Sequence, residues 1–392
     1  MSWEEKCMKK DIKSIISILL SVLMVLSLCG VSASAAEKQV PAAANASAAD
    51  WMQGLDDNKK LSEINLPGTH DSAMAYGKNG TGNYVRIFGI PVMGTWQYAR
   101  TQCLTLEQQL NAGVRFFDLR FSSKSDELRL CHGNMNDVKK VNLILAYVYL
   151  LHPLMFFAAV IGLPFVNLDT EFYAYEDEAC TEPTTMQTVL ELVKTFLREY
   201  PGETLVLKLK NENGENTAYV PLLKQVLEEL KTEVNPSTGK PYLYLEQGSD
   251  IYTKMPTLSQ VRGQFVLLYP EYEEIGMGGN IEMPNDTGEG SYSGEKFHYH
   301  NHWDITGEEK LAEVKDYLQH VSRVRDGKTV PYGSIIHTSS NVVMKDSPEA
   351  IEKTVGAWLY AKGTLQRGYF YGWFLCDFVT AEKSAAIWKT NF

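Results

Sequence analysis

Residues 114 to 120 read Val-Arg-Phe-Phe-Asp-Leu-Arg. As a strand, this run turns Val114, Phe116, Asp118 and Arg120 to one face and Arg115, Phe117 and Leu119 to the other. An aspartate and an arginine on an interior face cost several kcal/mol unless they are paired or used. The plain reading is a structural Arg-Asp pair inside the fold. The chemical reading is an arginine at the strand's C-terminal end, aimed at an anionic substrate. A guanidinium fork suits a phosphate because it donates two parallel hydrogen bonds.

Working outward, other strand-like runs are 61–66, 128–131, 204–210, 265–269, 334–337 and 369–377. Amphipathic helical runs at 104–111, 186–200, 220–234, 308–321 and 348–360 lie between many of them, with Gly113, Gly202 and Gly263 at their ends. Alternating strands and helices predict a parallel sheet with helical crossovers. The number of strands favours an α/β fold of the (β/α) TIM-barrel type, irregular in detail, over an open doubly wound sheet. In such a barrel the C-terminal strand ends converge on one face.

The chain has 392 residues and a net charge of −11. Lys9, Lys10 and Lys13 precede an apolar run, 15–28, that ends near Ala33-Ser34-Ala35. This is the pattern of a signal peptide cleaved near Ala35, so a secreted protein is expected, with a retained anchor as the alternative. Without residues 1–35 the charge is −12, because they hold four lysines and three acids. Bulk electrostatics then give no attraction to nucleic acid or to anionic lipid. Residues 36–54 read as a small-residue linker, and 55–392 as the barrel. Cys103, Cys131, Cys180 and Cys376 lack the close pairing of a zinc site. They allow three disulfide connectivities or none.

Three more strand ends carry chemistry. Pro67-Gly68-Thr69-His70-Asp71-Ser72 follows the run 61–66, Leu130-Cys131-His132-Gly133 ends another run, and Cys376-Asp377 ends the last. Taken alone, the first of these reads first as a capped surface turn. Together they place two imidazoles, an arginine and carboxylates at one mouth. One histidine can take a proton from a hydroxyl while the other gives one to a leaving oxygen, with the arginine neutralising the transition state. In a closed barrel the last strand lies beside the first, so Asp377 can reach His70 and fix its tautomer.

PGTHDS, VRFFDLR, LCHGN, PGETLVLKLKNE and GWFLCDF, in this order, resemble the bacterial phosphatidylinositol-specific phospholipase C family and its X-domain barrel. The resemblance spans about residues 55–380. It implies that His70 is the general base toward the inositol 2-hydroxyl, that Asp71 works with the general acid, and that Arg120 binds the phosphate. It further implies that His132 is the general acid and Asp377 the partner of the base. Lys210 and Glu212 match inositol-binding positions, and Trp303 matches the aromatic of the pocket. The implied reaction releases diacylglycerol and inositol 1,2-cyclic phosphate. Relatives that need calcium lack the arginine, so Arg120 implies a metal-independent enzyme with no cofactor.

Two features depart from the family. Tyr269-Pro270 stands where members carry Lys-Arg, which bears on head-group preference between phosphatidylinositol and its glycosylated form. An insertion, about 134–183, contains the apolar run Val141–Val166, broken at His152-Pro153 and Pro164. It is either a buried hairpin or an interfacial one, with Lys139 and Lys140 facing anionic head groups. The expected partner is a phospholipid surface, the expected state a monomer. The competing readings are a metal-dependent glycerophosphodiesterase and a lipid-binding module without catalysis.

Overall fold

Strands β1 (Gly68–Thr69) and β2 (Phe116–Lys124) run parallel, with Gly68 opposite Phe116. Next come β3 (Leu205–Asn211), parallel to β2, and β4 (Phe265–Tyr269), parallel to β3. Strand β5 (Gly279–Glu282) continues the parallel run, β6 (Thr287–Tyr292) reverses it, and β7 (Glu295–His300) restores it. Strands β8 (Gly333–His337) and β9 (Trp373–Leu375) complete the order. The computed structural model describes residues 46–78, 84–87, 90–94, 96–124, 126–133, 172–212, 217–269, 272–282, 287–292, 295–321, 323–324, 333–342 and 345–392. The leader 1–35, the apolar run Val141–Val166 with Lys139 and Lys140, and Pro270 lie outside them. Among the described residues no helix is long and apolar enough to cross a membrane.

The last strand returns to the first. Leu66 N–H donates to the Gly372 carbonyl (3.2 Å), Phe374 N–H to Leu66 (2.9 Å), Cys376 N–H to Gly68 (3.1 Å) and His70 N–H to Cys376 (3.0 Å). The expected barrel is therefore present, irregular through the antiparallel β6. Gly68 is required at the seam: a Cβ there would lie 2.2 Å from the Phe374 carbonyl oxygen. Gly372, at φ +109°, lets the chain pass within reach of Ser334, whose carbonyl oxygen would sit 2.4 Å from a Cβ.

The alternation sorts the core into two layers. Phe116, Val206, Val266, Phe297, Ile335 and Trp373 fill the barrel interior. Phe117, Leu207, Leu267, Ile336 and Phe374 face outward. Outside them pack helices α1 (Leu106–Asn111), α2 (Met186–Glu199), α3 (Tyr219–Thr232), α4 (Gly307–Val321) and α5 (Pro348–Leu359), followed by α6 (Ala381–Trp388). Thr105, Thr185, Ser347 and Thr380 each accept an N–H from the first turn of their helix.

Three sequence expectations need correction. The run 61–66 is a 3-10 turn, Leu61–Glu63, followed by a bridge at Leu66, so the first strand is the shorter β1. The run 128–131 is no barrel strand: Glu127–His132 folds back antiparallel on β2, which overshoots the ring. It then pairs with Phe172–Tyr175, within the predicted insertion, and that pairs with Tyr76–Lys78. Third, packing begins before residue 55. Trp51 is buried, stacks on Trp388 at 6.0 Å and donates Nε1–H to the Gly113 carbonyl at 2.9 Å. Ala49 offers its carbonyl to Arg115 Nη2 at 2.7 Å. The end of the supposed linker, from Ala46, thus covers the N-terminal end of the barrel, where its apolar and carbonyl groups find partners.

Candidate active site

The turn after β1 aims two adjacent side chains into the mouth. His70 Nδ1 lies 2.8 Å from Asp377 Oδ1, across the seam. This carboxylate is buried, and burial raises its pKa while His70 pulls the other way. Asp71 has φ +44°, a left-handed conformation rare outside glycine. The surroundings hold it there. Thr101 Oγ1 donates to the Asp71 carbonyl at 2.9 Å, and Gln102 Nε2 donates to the carbonyls of His70 (2.7 Å) and Cys376 (3.0 Å).

Asp71 is the hub. One oxygen, Oδ2, bonds His132 Nδ1 and lies 3.6 Å from His70 Nε2, while Oδ1 lies 3.0 Å from Arg120 Nε. Burial pushes its pKa up, but Arg120, then His132 and His70, outweigh that and hold it below the usual carboxylate range. Burial would lower the His132 pKa, yet the Asp71 carboxylate raises it on balance. His132 therefore keeps its proton to higher pH than a free imidazole. His132 reaches the mouth because the β2 hairpin doubles back toward it, not because it ends a barrel strand.

Arg120 emerges at the C-terminal end of the ring. Besides Asp71 it meets Asp118 Oδ2 at 3.1 Å and Glu212 Oε1 at 3.3 Å, and these carboxylates keep its pKa raised against burial. Lys210, opposite Arg120 in register, donates to Glu212 Oε1 at 2.9 Å. Lys210 and Glu212 thus stand beside the phosphate-binding candidate. Trp303 does not line the cluster. It follows β7, its side chain is exposed, and its carbonyl accepts from Ser340 Oγ and Asn341 N–H.

Sequence reading passed over the layer beneath. Lys208 Nζ lies 2.7 Å from Asp118 Oδ1, and His337 Nε2 lies 3.3 Å from Tyr299 Oη. The His337 ring meets that of His70 edge-on at 6.0 Å. Gln102 was also unmarked. Its role follows from tertiary hydrogen bonds between distant segments, for which the sequence carries no local signal. Among the described residues no group of three or more His, Cys, Asp or Glu is arranged to hold a metal ion. Of the cysteines, Cys376 is fully buried and its thiol pKa is pushed up to about 12 by burial. Cys131 forms a small buried cluster with Tyr173 and Tyr175, and the partly buried Cys180 packs against it.

The arrangement can support acid-base chemistry on an anion. With Nδ1–H donated to Asp377, the His70 Nε2 is left as a proton acceptor. With Nδ1–H donated to Asp71, a protonated His132 keeps Nε2–H to give.

This chain is similar to the 1-phosphatidylinositol phosphodiesterase of Listeria monocytogenes, with 25% identity over 281 residues, 69% of this chain and 67% of that one. The enzyme of the same name from Staphylococcus aureus is 27% identical over 218 residues, covering 56% of this chain and about half, 49%, of its own. Human PI-PLC X domain-containing protein 2 shares 37% identity over a shorter span of 103 residues. No protein-family model matches the chain. Among solved structures, the phosphatidylinositol-specific phospholipase C of L. monocytogenes superposes with a TM-score of 0.55 at 20% identity, covering 88% of this chain and 99% of that one. A structure of the S. aureus enzyme gives a TM-score of 0.58 at 19% identity, covering 88% and 98%. At such identities the superpositions establish the fold, a TIM-type barrel.

Proposed function

We propose that the chain belongs to the bacterial phosphatidylinositol-specific phospholipase C family and cleaves the phosphodiester of phosphatidylinositol or of glycosylated phosphatidylinositol. The observation that carries this reading is the shared Asp71 carboxylate, which holds His132 and Arg120 beside a His70 fixed by Asp377.

In the proposed reaction His70 Nε2 takes the proton of the inositol 2-hydroxyl, and that oxygen attacks phosphorus. The bond to the diacylglycerol oxygen breaks, and His132 gives that oxygen its proton. Arg120 faces the charge that grows on the non-bridging oxygens. Lys210 and Glu212 are assigned to the inositol hydroxyls, where charged groups make strong hydrogen bonds. The products are diacylglycerol and inositol 1,2-cyclic phosphate. The proposed setting is outside the cell, at a phospholipid surface, with residues 1–35 as the leader and Val141–Val166 as a candidate contact. Arg120 supports a metal-independent reaction, because it stands where a cation is needed.

Product release from phosphatidylinositol vesicles, measured in EDTA and in calcium, tests the proposal. Equal release in both supports it. Release in calcium alone overturns the role of Arg120, and no release overturns the assignment of substrate.

A further inference from the structure

In Leu205-Val206-Leu207-Lys208-Leu209-Lys210, Lys210 reaches the mouth and Lys208 lies one pleat deeper, inside the ring. Its register neighbours are Asp118 on β2 and Leu268 on β4. A lysine costs several kcal/mol at such a place unless its ammonium is matched. The match is Asp118: Nζ to Oδ1 is 2.7 Å. The other oxygen of Asp118, Oδ2, accepts from Arg120 Nε (3.1 Å) and Asp71 N–H (3.3 Å). Lys208 and Arg120 therefore grip one carboxylate from below and above.

The charge balance gives this grip a consequence. Three carboxylates, Asp71, Asp118 and Glu212, lie within 3.3 Å of the Arg120 guanidinium. One arginine among three carboxylates would repel a phosphodiester anion. Lys210 offsets Glu212, and Lys208 offsets Asp118.

Resting on the phosphodiester-cleaving reading above, we infer that Lys208 is a positioning residue: by neutralising Asp118 from beneath, it leaves Arg120 oriented and electrostatically open to the substrate phosphate. Lys208 does not reach the mouth itself. Burial lowers its pKa and Asp118 resists that shift, while Asp118 is held well below the carboxylate range, by Lys208 first among its partners, once burial is overcome.

The test is a charge-balance cycle with Lys208→Met and Lys208→Met/Asp118→Asn, read by NMR titration of the imidazole Cε1 protons and by the pH profile of kcat/KM on micellar phosphatidylinositol in EDTA. The groups facing the cluster are fixed. His70 faces Asp71, Asp377 and His337, and His132 faces Asp71, Arg120 and Glu212. Loss of the Lys208 charge leaves Asp118 unbalanced, which favours imidazolium. The His132 titration and both limbs of the profile move to higher pH, by about one unit. At the optimum kcat/KM falls about tenfold or more, with KM rising. The double variant, with no buried charge left unpaired, brings the titration back to within about 0.3 unit of the wild type. Should the single variant not fold, the double variant carries the test alone: a titration still displaced overturns the inference. A Lys208→Met titration that coincides with the wild type overturns it as well. A wild type that titrates as described but releases no product overturns the functional reading and leaves the charge balance standing.

Discussion

Asp377 holds His70 across the line where the last strand meets the first, with Nδ1 2.8 Å from Oδ1. The contact depends on closure of the ring, since the residues are joined by the same seam that pairs His70 N–H with the Cys376 carbonyl. A carboxylate so placed sets the imidazole tautomer. Asp377→Asn is expected to keep the fold and lower kcat by about 10²–10⁴ with little change in KM. Steady-state kinetics with a thermal melt check this. A loss in KM alone would remove Asp377 from the acid-base machinery.

His132 is assigned the leaving oxygen, so its value depends on how poor that leaving group is. His132→Ala should lower turnover of phosphatidylinositol by about 10²–10⁴, but lower that of an inositol phosphodiester with a nitrophenol leaving group far less. A nitrophenolate departs without a proton. Equal losses on both substrates would argue against a general acid at this position.

At the opposite end of the barrel Arg115 is fully buried. Its Nε meets Glu203 Oε2 at 2.7 Å, and its other nitrogens serve the carbonyls of Leu110, Val114 and Ala49. Arg115→Met leaves the Glu203 carboxylate buried without its partner. A loss of about 3–5 kcal/mol in urea unfolding is expected, partly recovered by adding Glu203→Gln. A loss under about 1 kcal/mol would mean that the pair only fills space.

Glu352 of α5 is buried behind the last strand, and burial pushes its pKa up to about 7 despite Lys383 at 2.7 Å. The folded pKa is above the unfolded one, so the folded state holds the proton more tightly. The stability this gives is fully present below the unfolded value and is lost as pH rises through about 7. Glu352→Gln should thus melt with the wild type near pH 4.5, the ordinary value, and above it at pH 8. The difference is on the order of 3 kcal/mol at most. A melting difference that does not change with pH contradicts this.

Much of this site is legible in sequence because its residues end strands. His70, Arg120, Lys210, Glu212 and Asp377 each follow a clear alternating or apolar run, so barrel geometry alone brings them together. His132 was legible as a residue but not as a placement. The reversal after β2 rests on Asp126 at φ +63°, without a glycine to mark it. Strands β5 to β7 were hidden for another reason. Outward positions on β7 are His298 and His300, and His300 meets Glu313 of α4 at 3.1 Å, so the outward face carries no apolar signal. Lys208 and His337 were hidden by depth. Only register tells a lysine beneath the mouth from one at its rim.

The central claim is that His70 makes a cyclic phosphodiester with Arg120 as the cation. Phosphorus NMR of the purified protein with phosphatidylinositol vesicles in EDTA tests it most directly. The account predicts the signal of inositol 1,2-cyclic phosphate with the wild type and none with His70→Ala. A signal that needs calcium, or one that persists in His70→Ala, would contradict it.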